Sequence, residues 1–106
     1  MKLYRLEEMK GGWFIGGFEP SCVRTDVFEV ACKAYKAGDR ENRHVHRIAT
    51  EVTLIASGRV AMNGHHLRAG DLIRLDPGEP ADFEALEDAH TVVVKIPSVI
   101  GDKYPA

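Results

Sequence analysis

The feature that most constrains this chain is its punctuation. Short runs rich in β-branched and aromatic residues recur from residue 13 to residue 96, and each is soon interrupted by Gly, Pro, Asn or Asp. The runs are "WFIGGF" (13–18), "DVFEVACKAY" (26–35), "EVTLIA" (51–56), "RVAM" (59–62), "DLIRL" (71–75), "ADFEAL" (81–86) and "HTVVVKI" (90–96). Between them stand "KAGD", "SGR", "MNGH", "RAGD", "DPGEP" and "EDA". Runs of this length and composition suit strands joined by tight turns. Asn63-Gly64 is the strongest turn, since both residues tolerate the φ > 0 that a two-residue type I′ hairpin requires. Ser57-Gly58 and Pro77-Gly78 mark further reversals. Only "KLYRLEEMK" (2–10) has a helical composition, and an irregular arm is the other reading of it. With 106 residues the chain has room for one core. The expectation is an all-β, antiparallel sandwich or small barrel, which buries one face of each strand and limits open edges.

A formal charge of −2, with Lys and Arg scattered along the chain, gives no electrostatic footprint for nucleic acid or an anionic membrane. No apolar stretch approaches the roughly 18 residues of a membrane span. The first residues, "MKLYRLEEMKGGWF", carry charges where a signal peptide would need an apolar centre. The expectation is a cytoplasmic protein in which Cys22 and Cys32, lacking CxxC spacing, remain free thiols.

The residues that carry chemistry lie in "GDRENRHVHRIATEVTLIASG" (38–58). On a strand, side chains two apart share a face, so His44 and His46 point the same way with Cα atoms roughly 6.5–7 Å apart. That separation lets two imidazoles converge on one cation at about 2.0–2.1 Å. Glu51 opens the next strand beyond "RIAT", where a hairpin would set it beside the histidines. Two histidines and one carboxylate form a facial triad suited to Fe, Mn, Zn or Ni, with open positions of the kind a catalytic site keeps.

The spacing Gly38-x5-His44-x-His46-x4-Glu51-x6-Gly58 resembles the first motif of the cupin family. A second cupin motif is matched in part by "GDLIRLDPGEPADFEAL": Gly70, Asp71 and Gly78 fit, whereas Asp76 stands at the proline position, Ala81 at the metal-binding histidine and Ala85 at the asparagine. The resemblance spans residues 26–96. It implies a jelly-roll barrel of two antiparallel sheets with a pocket at the open end, a divalent metal held by His44, His46 and Glu51, and a homodimer formed by sheet extension. It divides the single domain into an arm and first strand (1–25), a barrel core (26–96) and a tail (97–106). The candidates for a fourth ligand are Asp82, His90 or water. His90 shares its phase with Val92, Val94 and Ile96, read as the inward series of the last strand.

His65 and His66 are adjacent and face opposite sides, so a solvated hairpin is expected. Trp13 and Phe14 read as core or interface residues. Arg43, Tyr35 and Lys95 read as surface or edge residues that could border the pocket, and Cys32 as a small buried hydrophobe. Two functions follow: a metal-dependent isomerase, lyase or dioxygenase acting on a sugar or oxo-acid, and a non-catalytic or metal-free module that binds a small ligand. A third, weaker reading is a subunit that modulates a partner enzyme. The intact first motif favours the enzyme, and Ala81 favours the binder.

Overall fold

The turns read from the sequence are where the chain reverses. A computed structural model describes residues 1–106 and contains eleven strands in two sheets. The six-stranded sheet contains β1 (Trp13–Gly16), β2 (Val23–Arg24), β3 (Glu29–Tyr35), β5 (Thr50–Ser57), β8 (Leu72–Leu75) and β10 (Ala89–Ile96), ordered β2-β1-β3-β10-β5-β8. The five-stranded sheet contains β4 (Arg40–Val45), β6 (Arg59–Met62), β7 (His65–Arg68), β9 (Ala81–Ala85) and β11 (Tyr104–Pro105), ordered β11-β4-β9-β6-β7. The expected all-β architecture of two antiparallel sheets is present, with one exception: β1 and β2 pair in parallel. No helix is long and apolar enough to cross a membrane.

Asn63 and Gly64 have φ of 49° and 79°, as the β6–β7 hairpin requires. Gly58 (φ 79°) turns the chain from β5 in one sheet to β6 in the other. A side chain there would run into the Asp88 carbonyl and Ala89, so both conformation and space call for glycine. Residues 2–10 form no α-helix; they make 3-10 turns at Leu6–Glu8 and Lys10–Gly12. A segment this short cannot sustain a helix without a packed face, and among its residues only Met9 is buried.

Between the sheets lies one apolar cluster: Ile55, Val60, Met62, Leu75, Ala81, Phe83, Ala85 and Ala89. Its phase corrects one sequence reading. On β10 the buried residues are Ala89, Thr91 and Val93, which share the phase of Lys95, while His90 and Ile96 are exposed and Val92 and Val94 are only half-buried. A run of three valines fills both faces and leaves alternation no way to tell inside from outside. Cys32 on β3 likewise sits half-buried in the outward phase, between the buried Ala31 and the inward Lys33. Both cysteines are free.

Candidate metal centre

His44 ends β4 beside Val45, His46 follows it directly, and Glu51 is the second residue of β5. β4 and β5 do not form a hairpin, because they belong to different sheets. Residues 46–49 cross from one sheet to the other, so Glu51 faces the histidines from across the sandwich. Even so, one ligand atom from each of His44, His46 and Glu51 lies within 4.8 Å of the others. The two imidazoles are 5.3 Å apart between ring centres and nearly perpendicular, at 78°.

Backbone carbonyls set the histidine tautomers. His44 Nδ1–H donates to the Asn42 carbonyl at 2.8 Å, and His46 Nδ1–H donates to the carbonyl of Asp102. Both Nε2 atoms are thereby left with a lone pair. His46 is 5% exposed, and its Nε2 makes no hydrogen bond although the Glu51 Oε2 is 3.4 Å away. A lone pair facing a carboxylate oxygen is repulsive unless positive charge, a proton or a cation, stands between them. Burial works to raise the Glu51 carboxyl, but the His46 ring and the Lys95 ammonium outweigh it and hold it below the usual carboxylate range.

Ala81 pairs with His44 across β4 and β9 and is 3% exposed, so the residue expected to face inward does so and brings no donor atom. Neither protein candidate for a fourth ligand joins the triad. Asp82 has the outward phase of β9, and its carboxylate accepts the Asn63 N–H at 2.7 Å. His90 is exposed and bonds Ser57 Oγ at 3.0 Å. A cavity of about 30 Å3, the liquid volume of about one water, borders the triad and is lined by Thr53, Ala81 and Thr91 among others. Tyr35 also lines it, with its hydroxyl 3.2 Å from Glu41 Oε1; burial and the Glu41 charge push that hydroxyl well above the ordinary tyrosine range. Arg43, His65 and His66 are exposed.

Two further residues support the triad: Lys95, read from the sequence as a surface or edge residue that could border the pocket, and Asp102, which the sequence did not mark. Lys95 pairs in register with Glu29 on β3 and Glu51 on β5, making an alternating charged row across the centre of the larger sheet. Its ammonium is 3.7 Å from Glu29, and Glu29 Oε2 accepts the Ser98 hydroxyl at 2.7 Å. Burial pulls the Lys95 ammonium below the ordinary lysine value, against the opposing charges of Glu51 and Glu29. The phase of Lys95 with Thr91 was the available clue. Asp102 is the residue the sequence left unmarked. Its carboxylate accepts the N–H groups of Arg47 (2.9 Å), Ile48 (3.1 Å) and Ala49 (2.9 Å), which are the crossing segment itself. Burial would raise the Asp102 carboxyl, yet these three donors hold it below the usual range. Asp102 lies far downstream in "VIGDKYPA", where no periodicity or motif marks it. Residues 97–106 thus supply both this anchor and β11, which pairs with β4, while the Arg47 guanidinium lies 3.8 Å from the Tyr104 ring centre.

No protein-family model matches the chain. No curated protein matches it either. Solved structures do. A Klebsiella pneumoniae protein with a double-stranded β-helix domain is 22% identical, with a TM-score of 0.73 over 99% of this chain and 91% of that one. A sugar phosphate isomerase of the cupin superfamily from Silicibacter pomeroyi is 20% identical, with a TM-score of 0.63 over 68% of this chain and 52% of that one. A bacterial pirin from Escherichia coli, in complex with nickel(II), is 16% identical, with a TM-score of 0.67 over 82% of this chain and 39% of that one. The shared feature is the fold, a double-stranded β-helix of the cupin type.

Proposed function

Because the chain carries the cupin fold around two histidines and a glutamate, we propose that it is a metal-binding protein acting on a small polar molecule, a sugar or an oxo-acid, by isomerase, lyase or dioxygenase chemistry. His44 and His46 through Nε2, and Glu51 through its carboxylate, hold a divalent ion such as Fe, Mn, Zn or Ni, with water or substrate in the remaining positions. The observation that carries the proposal is the buried His46 Nε2, which has no hydrogen-bond partner and faces the Glu51 carboxyl group at 3.4 Å. When bound, the ion supplies Lewis acidity toward a carbonyl or hydroxyl oxygen. The chain's own residues do the positioning. The carbonyls of Asn42 and Asp102 orient the rings, Asp102 fixes the crossing segment, and Lys95 steadies the charge on Glu51. The sugar phosphate isomerase and the nickel-bound pirin among the structural neighbours support this reading.

Elemental analysis of purified protein beside His46→Ala tests it. Stoichiometric metal in the wild type that disappears in the variant is the expected result. Wild-type protein that stays metal-free after incubation with Fe(II), Mn(II), Zn(II) and Ni(II) would overturn it. That outcome favours a second reading, a metal-free module that binds a small ligand, which Ala81 supports by leaving the set one donor short. The reading includes a cytoplasmic setting and a homodimer; size-exclusion chromatography with light scattering checks the latter.

A further inference from the structure

A cavity of about 220 Å3 opens beside the triad, walled by Trp13, Phe18, Lys33, Lys95 and the 99–103 segment. It adjoins the centre through three residues. Lys33 also lines the small cavity against His44 and Glu51. Asp102 accepts the His46 Nδ1–H, and Lys95 stands opposite Glu51 in the β5–β10 register. The volume is the liquid volume of about seven waters, below the roughly 300–1,000 Å3 of a pocket for drug-sized ligands.

The charges lining this cavity are unequal in how far they are satisfied. Asp102 is taken up by three backbone N–H groups. Glu29 accepts the Ser98 hydroxyl, whose oxygen in turn accepts the Gly17 N–H at 2.9 Å. The ammonium groups are not closed in this way. Lys33 Nζ is 3.5 Å from Glu41 and Lys95 Nζ is 3.7 Å from Glu29, longer than the roughly 2.7–2.9 Å of a charge-assisted hydrogen bond. Each ammonium has three donors to offer. Both lie against one indole, 5.2 Å and 4.8 Å from the Trp13 ring centre, within cation–π range. Two cations gathered on one ring repel each other, and an anion between them removes that repulsion. Lys33, Lys95 and Lys103 stand against Glu29 and Asp102 in the lining, with Glu41 beside Lys33 and Glu51 opposite Lys95 just outside it, so the balance leaves room for one small anion at most. A carboxylate adds one negative charge to this balance, whereas a phosphate dianion adds two.

We infer that this cavity is an anion subsite, and that the molecule brought to His44, His46 and Glu51 is a small carboxylate whose acid group docks between Lys33 and Lys95 over the Trp13 ring. The inference rests on the proposed reading of the triad for the identity of the reacting centre. Phe18, edge-on to Trp13 at 6.4 Å, supplies apolar wall for the ligand's carbon skeleton.

Trp13 is the chain's one tryptophan, so its fluorescence reports occupancy of the cavity, with titration calorimetry as a second readout. The probes are matched pairs, glucuronate with glucose and lactate with lactamide, together with inorganic phosphate. Each carboxylate binds about tenfold or more tighter than its neutral counterpart, equivalent to about 1.4 kcal/mol. Lys33→Met removes that preference while metal uptake stays unchanged, and Lys95→Met removes it as well. Equal binding of charged and neutral probes, a preference that survives both lysine variants, or phosphate binding tighter than the carboxylates would overturn the subsite. Failure here and failure of the metal reading are separable. Metal uptake without carboxylate preference sinks the subsite alone, and carboxylate preference in protein that takes up no metal sinks the metal reading alone.

Discussion

The same strands build two unlike ends of one interior. β10 presents Ala89 at one end and Lys95 at the other, and β5 presents Ile55 and then Glu51. At the first end, Ile55, Val60, Phe83, Ala85 and Ala89 close into an apolar cluster. At the second, Glu29, Lys95, Glu51 and His46 are brought together with little water. Burying charge costs more than burying methyl groups, so the polar end adds little to stability for its size. It is held in place by strands that the apolar end has already paired. The molecule separates what folds it from what it acts with, along the length of each strand.

The largest expected effect tests the apolar end. Ile55→Ala removes a fully buried side chain and lowers stability by about 2–5 kcal/mol in equilibrium denaturation, while metal uptake per folded molecule stays unchanged. Asp102→Ala follows, costing about 2–3 kcal/mol for the orphaned N–H groups of residues 47–49. Because the folded pKa of Asp102 is depressed, its stabilisation is complete above the unfolded value of about 3.9 and is lost as pH falls through the folded value. Urea midpoints followed from neutral pH to about pH 3 should therefore drop less steeply in the variant. A parallel decline in both proteins would deny Asp102 this role.

Ala81→His sharpens the comparison from the other side. The imidazole overfills a cavity of about 30 Å3 and costs about 1–3 kcal/mol in metal-free protein. It also tightens metal binding about tenfold or more, about 1.4 kcal/mol. Unchanged affinity in calorimetry would mean that the space beside Ala81 is not a ligand position. The smallest effect is reserved for the paired replacement His65→Ala with His66→Ala. Both residues are exposed, so stability shifts by less than about 0.5 kcal/mol and metal uptake is unaltered.

Local chemistry made part of this legible in the sequence. Asn63-Gly64 and Gly58 announce their turns because few residues accept positive φ. His44, His46 and Glu51 announce themselves by spacing. What the spacing could not reveal is that the glutamate belongs to the opposite sheet, since a four-residue link can close a hairpin or cross a sandwich. Val92, Val93 and Val94 hid the inward face of β10, so Lys95 was placed outside. Asp102 was invisible for a different reason: its partners are backbone N–H groups more than fifty residues away, and such bonds leave no mark on composition.

The placement of the triad on both sheets ties occupancy to folding itself. His44 comes from the smaller sheet, His46 from the segment that crosses between the sheets, and Glu51 from the larger sheet. An unfolded chain, or one with its sheets apart, cannot present the three groups together. Thermodynamic linkage then requires anything that binds across them to stabilise the whole sandwich, by an amount that grows with the logarithm of its concentration over its dissociation constant. A ligand at this centre is a clamp between two layers, and the melting temperature of the chain becomes a gauge of how full its site is.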